Sequence, residues 1–591
     1  MNFCLKIQKA HHCPWGEAFH AAEGLHFGTF CCIPEEFCVW FERGKYLLPM
    51  MQDEIFVLIV GGGPVGLTLA LDLGSRGVPA ILVNESVETV QHPKCNVISA
   101  RTIEHFNRLG LANEIRRQYA GGQAPAKLSF RTRFCGYELG RVDLSEVGEA
   151  SNWLGPGGPW PGGPWHAISQ VVLEEILKRH VEQKANVNLY FGWRAIDVRV
   201  GEVDAEALIE CVATGRQQKI RARYVVGCDG SESVVRHAMG GKLVGKDGAF
   251  ERRVMTSTKI SYLVQSERLQ ELSGIEPAGI NWIINSDTRG YILNLGAKDR
   301  YMVYYQVPQG TNWRDVQADA VLSRLFGCDV VFQVLSSAPW TGVVAKVADR
   351  YNKGAAFVAG DAAHIFAPLG GIGMNTGIGD AINLGWKLAA VHQGWGGQNL
   401  LETYNAERQE IGIRNSIVGI YWTDRKEQWI SPDDLEADSP MAAARRQEFG
   451  RFLEANHKDE YQTIGVQLGE AYTSSIVIDP PDLPDADPWN QYVPTDNAGA
   501  RLPHFTITDG RSIYDVLGVE FSLLAFEDTD TSELERSAVS CGVPMVVIRL
   551  ALRPSCFRHR LVLVRPDHHI AWSADAACGK ATEIMDIIRG C

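Results

Sequence analysis

Residues 55–66, IFVLIVGGGPVG, join a short apolar run directly to a glycine-rich turn. The run at 55–60 is rich in β-branched residues and predicts a buried parallel strand. Residues 67–77, LTLALDLGSRG, predict an apolar-faced helix, and residues 78–85, VPAILVNE, predict the next strand. The sequence therefore predicts a strand–turn–helix–strand unit, which is the beginning of an α/β fold.

The turn has the spacing G-x-G-x-x-G, formed by Gly61, Gly63 and Gly66, with Pro64 inside it. The first glycine allows a tight turn, the second lets the backbone approach a pyrophosphate, and the third lets the helix pack close to the strand. Glu85 ends the next strand, where a carboxylate can accept hydrogen bonds from ribose hydroxyls. The motif predicts dinucleotide binding and leaves FAD and a nicotinamide nucleotide both open.

Two later strands also end in an aspartate next to a glycine. Residues 222–240, ARYVVGCDGSESVVRHAMG, lead to Asp229 and Gly230, and residues 354–361, GAAFVAGD, lead to Asp361. An Asp-Gly pair after a strand is common as a plain turn. A carboxylate in the position of Asp361 can also accept hydrogen bonds from the ribityl hydroxyls of a flavin.

The glycine-rich stretch 368–391, PLGGIGMNTGIGDAINLGWKLAAV, runs into an apolar-faced helix. The first turn, near Gly373, Met374 and Asn375, presents unpaired N–H groups and the positive end of the helix dipole. A reduced flavin carries negative charge on the pyrimidine edge of its ring, and glycines let that ring contact the backbone. This stretch favours FAD as the cofactor.

The three motifs, in this order, resemble the FAD-dependent aromatic hydroxylase family, single-component flavoprotein monooxygenases that include para-hydroxybenzoate hydroxylase and phenol hydroxylase. The resemblance covers roughly residues 53–425. It implies an α/β protein with a Rossmann-like FAD-binding domain interleaved with an antiparallel-sheet substrate domain. The end of the chain resembles the thioredoxin-like C-terminal α/β domain of phenol hydroxylase relatives.

The resemblance also assigns roles to single residues. Asp361 would hold the ribityl chain, and Met374 and Asn375 would contact the pyrimidine edge of the flavin. Asp229 belongs to a motif that the family uses for FAD and for transient NAD(P)H contact, and Pro368 matches a catalytic proline beside the substrate. The residues implied to bind FAD are Gly61, Gly63, Pro64, Gly66, Glu85, Lys94, Arg101, Gln170, Asp229, Gly230, Asp361, Gly373, Met374 and Asn375.

The activity implied by the resemblance is hydroxylation of a phenol or an aromatic polyketide, in aromatic or secondary metabolism. NADPH or NADH would reduce FAD, and O2 would give a flavin C4a-hydroperoxide that transfers oxygen to the ring. Two alternatives stay open: Baeyer–Villiger oxygenation of a polyketide ring ketone, and a flavoprotein without turnover. Asn96 stands where phenol-hydroxylase-like members carry an acid, and an amide cannot accept the phenol proton.

The remaining segments define the expected domain order. Residues 1–50 are expected to be a disordered or mis-annotated extension, 53–235 and 351–425 two parts of the FAD domain, and 236–350 the substrate sheet. Residues 426–497 form a helical connector and 498–591 the thioredoxin-like domain, which we expect to serve in packing or in a homodimer. Trp282, Tyr291, Tyr304 and Tyr305 are candidates for either the pocket lining or the core, and His364 is expected to be structural.

Composition excludes several classes of protein. The 591 residues carry a formal net charge of −13 without a basic block, so a nucleic-acid partner is not expected. No apolar run reaches the length of a membrane span. Most of the chain has scattered cysteines without a C-x-x-C pair, as in a reduced cytoplasmic protein. The Cys and His residues of the first 50 positions fit no zinc-ligand spacing, so no metal site is predicted.

Overall fold

The structure is a computed structural model. It describes residues 54–591 except 93–96, 121–126, 145–164, 245–257, 296–298, 309–310, 341–344, 367–368, 428–429, 462 and 482–488. The expected N-terminal extension, 1–50, lies outside the described residues.

The strands are numbered in chain order. They are β1 (Ile55–Val60), β2 (Ala80–Asn84), β3 (Val97–Ser99), β4 (Lys127–Arg131), β5 (Glu138–Asp143), β6 (Trp165–Ala167), β7 (Val187–Phe191), β8 (Trp193–Val200), β9 (Ala205–Cys211), β10 (Gln217–Gly227), β11 (Leu243–Val244), β12 (Thr258–Gln265), β13 (Ile280–Ile284), β14 (Arg289–Asn294), β15 (Arg300–Val307), β16 (Gln333–Trp340), β17 (Lys346–Ala348), β18 (Asn352–Lys353), β19 (Ala356–Val358), β20 (His364–Ile365), β21 (Phe521–Phe526), β22 (Met545–Leu550), β23 (Leu561–Val564) and β24 (Ile570–Ala574).

The α-helices are numbered in the same way. They are α1 (Pro64–Ser75), α2 (Ala100–Arg108), α3 (Ala112–Ala120), α4 (Gln170–Glu182), α5 (Val234–Ala238), α6 (Leu269–Ser273), α7 (Ala318–Phe326), α8 (Ile372–His392), α9 (Glu402–Glu427), α10 (Pro440–Tyr461), α11 (Ile464–Leu468), α12 (Ser532–Ser540) and α13 (Ala581–Ile588).

The first large sheet has the strand order β18-β19-β10-β1-β2-β7, extended by an antiparallel β8–β9 hairpin on β10. Strands β19, β10, β1, β2 and β7 run parallel to one another, whereas β18 is antiparallel to β19. The apolar residues of β1 are buried because α1 packs on this sheet. This is the predicted Rossmann-like domain, and its central strands come from segments 130–170 residues apart in the chain.

The second large sheet has the order β16-β12-β15-β14-β13-β4-β5 and is antiparallel except for the β13–β4 pair. Helix α7 covers one face with Leu322, Leu325 and Phe326. Helix α10 packs on the other face with Phe449 and Leu453. The alternation of apolar and polar residues within 236–350 predicts an antiparallel sheet with one solvated face. That prediction is wrong, because α7 and α10 cover both faces of the sheet.

The last sheet has the order β22-β21-β23-β24, with β21 and β22 parallel and the other pairs antiparallel. Helix α12 connects the parallel pair and α13 follows the hairpin, which is the βαβ–ββα arrangement of a thioredoxin-like domain. Its core includes Phe521 together with Trp386 and Trp395, which belong to α8 and the loop after it. The fold class predicted from the sequence is confirmed.

A buried ion network joins this C-terminal domain to α8. Glu407 accepts from both terminal nitrogens of Arg565, at 2.6 and 2.8 Å, and from Lys387 Nζ at 2.8 Å. Asp567 Oδ2 accepts from Arg565 at 2.7 Å and from Trp386 Nε1 at 3.2 Å. Burial lowers the pKa of Lys387 to about 8 despite the nearby Glu407. Because each charge has a partner, removing one would leave the other buried alone.

Two further observations concern the cysteines and the helices. Cys135 and Cys328 form a disulfide between residues 193 positions apart, which the cysteine spacing does not predict. Across the described residues, no helix combines the length and the apolar character that a bilayer crossing requires.

Candidate active site

The three predicted motifs lie side by side, because each follows one of three adjacent parallel strands. The loop at Gly61 follows β1, Asp229 follows β10, and Gly360 follows β19. Cys228 N donates to Val60 O at 2.7 Å, which fastens the second loop to the first. Ligands of open α/β sheets bind outside the carboxyl ends of such strands.

The three glycines of the G-x-G-x-x-G motif differ in their surroundings. Gly61 has φ +107°, and a Cβ there would lie 2.2 Å from Cys228 O. A Cβ on Gly66 would lie 2.0 Å from Gly61 O, so this glycine permits the close approach of α1 to the turn. Gly63 instead faces open space, with no atom within 4 Å of an added Cβ. The turn thus has two packing glycines and one glycine open to a ligand.

The open side of this turn is the start of α1. Pro64 is the first helical residue and Gly63 the N-cap, which has no side-chain capping bond. The first N–H groups of a helix lack partners within the helix and attract an anion. This end of α1 can therefore bind phosphate through backbone groups alone.

Asn84 contacts this loop in a way that the sequence reasoning did not anticipate. Its Oδ1 accepts from Gly62 N at 2.9 Å, while its Nδ2 donates to Ser86 O at 3.2 Å. Glu85, the predicted ribose ligand, follows at the end of β2 and is exposed. The sequence signal that could have indicated this hydrogen bond is an asparagine directly before the acid at the end of a strand.

Asp229 has a local structural role in addition to the predicted one. Its Oδ2 accepts from Val234 N at 2.8 Å and from Val235 N at 3.4 Å, so it caps α5. Burial raises the pKa of Asp229, and hydrogen bonds from Ser233 and the α5 backbone oppose that shift. Gly230 has φ +77° and open space around its Cα.

The start of α8 faces the same edge of the sheet. Its N-cap, Gly371, has φ +62°, and Gly373 and Met374 in the first turn are half-buried. Asp361 lies in the turn after β19 and is exposed. A Cβ on Gly377, one turn further along α8, would lie 2.7 Å from Val65 in α1. The start of α8 is therefore held directly against the dinucleotide helix.

Comparison with known families identifies the chain. The family model described as FAD binding domain matches residues 54–416, and the one described as aromatic-ring hydroxylase, C-terminal, matches residues 495–589. The protein belongs to the FAD-dependent aromatic hydroxylases. The predicted family, with FAD as its cofactor and monooxygenation as its type of reaction, is thereby confirmed.

Individual relatives match this hydroxylase over most of its length. The FAD-dependent monooxygenase apdD of Emericella nidulans is 28% identical, over 88% of this chain and 87% of its own. The 4-methyl-5-nitrocatechol 5-monooxygenase of a Burkholderia species is 27% identical, over 91% and 97%. The solved structure of the rebeccamycin biosynthetic enzyme RebC with reduced flavin is 30% identical, with TM-score 0.80, over 91% and 100%.

The loops that contain the predicted motifs of this hydroxylase have both the space and the hydrogen-bond acceptors that FAD requires. The open space at Gly63 and Gly230 admits a ligand that touches the backbone, and a side chain at either position would occupy it. The exposed carboxylates of Glu85 and Asp361 lie after two strands of the same sheet, β2 and β19. Hydroxyl groups of a ribose and a ribityl chain are suitable donors to such carboxylates.

The side chain of Asn375 forms four hydrogen bonds with other residues of the protein. Its Oδ1 accepts from Ser99 N at 2.8 Å and from Thr102 Oγ1 at 2.6 Å, and its Nδ2 donates to Val97 O at 3.2 Å and to Gly371 O at 2.5 Å. An amide offers two donors and two acceptor sites, and these four bonds use them all. The backbone of Asn375, and not its side chain, therefore remains for the predicted flavin contact.

Two more predicted FAD residues have protein partners. Arg101 is buried and donates to Glu104 Oε2 at 2.8 Å and to the backbone oxygen of Asp567 at 2.6 Å. Gln170 Nε2 donates to Glu174 Oε1 at 2.7 Å in the first turn of α4. Their contact with FAD stays a prediction. Lys94 and the predicted catalytic Pro368 lie outside the described residues, as does Asn96.

His364 is fully buried behind the turn that contains Gly360. Its Nε2 lies 2.7 Å from Asp380 Oδ2, which also accepts from Gly360 N at 3.0 Å, and Asp380 Oδ1 accepts from Arg408 Nε at 2.8 Å. Burial opposes ionisation of Asp380, but His364 and Arg408 hold its pKa below the usual value. The histidine thus helps fix the Gly360 turn to α8, in keeping with the structural role expected for it.

Three of the four aromatic candidates lie together on the sheet face covered by α10. Trp282 pairs with Tyr291, and Tyr291 with Tyr304, in adjacent strands, with ring centroids 4.9 and 4.4 Å apart. Tyr305 packs with the core on the opposite face, under α7. The first three are buried against one another beneath α10, so they form part of the core.

Proposed function

We propose that the protein is an NAD(P)H-dependent hydroxylase of a phenolic or aromatic polyketide substrate. The observation that carries the proposal is the meeting of three loops and the start of α8 at one edge of a parallel sheet. That geometry offers backbone N–H groups to the pyrophosphate and to the flavin ring, and it offers the carboxylates of Glu85 and Asp361 to the hydroxyl groups of the cofactor. When bound, FAD supplies the reduction of O2 by NAD(P)H and the transfer of one oxygen atom.

In this proposal the chain binds and orients the cofactor. The Gly61–Gly66 turn and the start of α1 hold the pyrophosphate, Glu85 the ribose, and Asp361 the ribityl chain. The backbone N–H groups at Gly373 and Met374 stabilise negative charge on the flavin ring through the helix dipole. Asp229 and Gly230 border the path of the cofactor and of NAD(P)H.

The substrate class is supported by the activities for which relatives of the protein are named. Several relatives are named for phenolic substrates, and the nitrocatechol monooxygenase is one of them.

The test is product formation by the purified yellow protein. We expect phenols or aromatic polyketides in a panel to accelerate NAD(P)H oxidation and to gain one oxygen atom, which carries the label when 18O2 is used. Parallel assays with NADH and NADPH would give the preferred reductant. An ester or lactone product from a cyclic ketone would support Baeyer–Villiger oxygenation instead. The absence of any substrate-stimulated oxidation across the panel would leave a flavoprotein without turnover.

A further inference from the structure

A buried threonine in the second turn of α8 bonds back to the first residue of the helix. Thr376 Oγ1 donates to Ile372 O at 3.0 Å, and Thr376 is only 3% exposed. Asn415 of α9, which is 1% exposed, donates from Nδ2 to Thr376 Oγ1 at 2.9 Å. A hydroxyl has one proton to donate, and Asn415 already occupies an acceptor site of this oxygen, so the proton of Thr376 points at Ile372 O. The two hydrogen bonds therefore run in one direction, from Asn415 to Ile372.

The carbonyl of Ile372 belongs to the same peptide group as the N–H of Gly373. Gly373 is the second residue of α8, so its N–H has no partner within the helix. A hydrogen bond to the oxygen of a peptide group polarises that group, and hydrogen bonds in a chain strengthen one another in this way. The bond from Thr376 therefore makes the Gly373 N–H a stronger donor. In the proposed function this N–H faces the flavin ring.

Helix α1 has the same arrangement at the same position. Thr68 is the fifth residue of α1, as Thr376 is of α8, and its Oγ1 donates to the oxygen of the first residue, Pro64, at 2.7 Å. Thr68 is fully buried. The peptide group that it polarises carries the N–H of Val65, at the end of α1 that is proposed to hold the pyrophosphate. A threonine bonded back by four residues is common in helices, but here one lies at each of the two helix starts directed at the cofactor.

We propose that Thr376 and Asn415 are positioning residues that raise the reduction potential of the flavin through the Gly373 N–H. This inference rests on the proposed function. Hydride transfer from NAD(P)H adds two electrons and one proton to the flavin ring, which thereby gains one negative charge. A stronger donor at the ring stabilises the charged, reduced form more than the neutral, oxidised form. The pyrophosphate has the same charge in both forms, so Thr68 affects the affinity for FAD and not its potential.

Thr376→Val tests the inference, because valine keeps the shape of the side chain and removes the hydroxyl. The matched control is Thr423→Val in α9, where the buried Thr423 donates from Oγ1 to Gly419 O at 2.9 Å, also four residues earlier. Both variants lose the same kind of bond, but the control lies far from the start of its helix. Each protein with bound FAD is titrated against a dye of known potential at a fixed pH. The apoproteins are titrated with oxidised FAD.

For Thr376→Val we expect reduced FAD to bind about 3-fold more weakly relative to oxidised FAD, since polarisation changes a hydrogen bond by a fraction of its energy. For a two-electron couple this lowers the midpoint potential by about 15 mV. Asn415→Ala should lower the potential by less, because the hydroxyl keeps its bond to Ile372 O, and Thr376→Ser should restore the wild-type potential. Thr68→Val should weaken the binding of both forms of FAD about 3-fold at an unchanged potential. Thr423→Val should match the wild type in both measurements.

An unchanged potential for Thr376→Val would overturn the inference. An equal shift in Thr423→Val would also overturn it, because the cause would then be a general change in helix packing. If Thr376→Val does not fold, Asn415→Ala decides, since a lower potential supports the inference and an unchanged one overturns it. These potentials are measured without a substrate. A wild type that hydroxylates no phenol would therefore overturn the proposed function, while the potentials would still decide the role of Thr376.

Discussion

The two ends of helix α8 lie in opposite environments. At the N-terminal end, Gly371, Gly373 and Met374 are half-buried, and the helix offers backbone groups without side-chain caps. At the C-terminal end, Trp386 and Lys387 are fully buried in the ion network of the C-terminal domain. The N-terminal end of α8 is therefore partly accessible, whereas buried ion pairs fix its C-terminal end.

This difference indicates how a glycine-rich helix can be both a binding site and a rigid element. Glycine lowers helix stability by about 1 kcal/mol relative to alanine, and α8 contains several. The close packing of Gly377 on Val65 and of Gly385 on Asp72 offsets that loss of helix stability with tertiary contacts. The network beyond them fixes the helix, so its first turn need carry no stabilising side chains.

The largest effect should come from the dinucleotide turn, where the two kinds of glycine can be separated. Gly66→Ala places a Cβ 2.0 Å from Gly61 O, so we expect loss of cooperative unfolding and of bound FAD. Gly63→Val meets no protein atom and should give folded but colourless protein. Circular dichroism and flavin absorbance distinguish them. Yellow protein from both variants would contradict the proposed position of FAD.

The next largest effect should come from the closed end of α8. Glu407→Gln leaves Arg565 and Lys387 without their shared carboxylate, so we expect a loss of about 3–5 kcal/mol in the free energy of unfolding. Urea denaturation measures it, and FAD should remain bound below the transition. Glu206→Gln, in the exposed pair with Lys219, is the control and should leave the midpoint unchanged. An equal urea midpoint for Glu407→Gln and Glu206→Gln would show that the buried ion network does not stabilise the fold.

A smaller effect should appear with pH at the junction of α2 and the C-terminal domain. Burial, with a contribution from Arg501, lowers the pKa of His504 from 6.5 to about 4. Between these values the unfolded chain binds a proton that the folded protein does not, so stability falls as pH decreases. The slope is about 1.4 kcal/mol per pH unit for each such histidine. The other buried histidines with lowered pKa here are His105, His568 and His569.

The measurement is urea denaturation at pH 7, 6 and 5, above the range in which most carboxylates titrate. His504→Gln should reduce the slope by about one proton per molecule, whatever it does to stability at pH 7. A stability that is independent of pH across this window would show that these histidines are not buried in the neutral form.

The smallest effect should come from Asn84. Asn84→Ala removes the hydrogen bond to Gly62 N, worth about 1 kcal/mol, so FAD should bind about 5-fold more weakly. Fluorescence titration of the apoprotein with FAD checks this value. Ser86→Ala is the control, because Asn84 contacts only its backbone oxygen. An unchanged affinity for Asn84→Ala would mean that the loop holds its shape without this bond.

Local pattern was sufficient for the strand–turn–helix unit and for the order of the motifs. A short apolar strand, a glycine turn and an amphipathic helix are each specified by neighbours in the chain, so 55–85 could be recognised directly. The later motifs were recognisable because each ends a strand of the same kind. Resemblance then extended this local information to a family and to FAD.

The partners of individual polar side chains could not be recognised in that way. The predicted FAD contacts of Arg101 and Asn375 stay predictions, and the structure adds that their side chains bond to Asp567 and to Ser99, which are 466 and 276 residues away in sequence. The glycines at the start of α8 were interpreted as space for the flavin, and further along the helix Gly377 and Gly385 permit close packing on Val65 and Asp72 of α1. Nothing near these residues in sequence specifies such contacts.

The sequence by itself determined the elements, their order, the family and the cofactor, because these depend on periodicity and on motifs that are read locally. Only the tertiary structure decided which surface each side chain meets. It placed Glu460 beside Gly370, 90 positions earlier in the chain, and it buried the charges of Glu407 and Arg565 together. The physical reason is that burial and ion pairing depend on distance in space, which the packing of helices on sheets sets and local sequence does not.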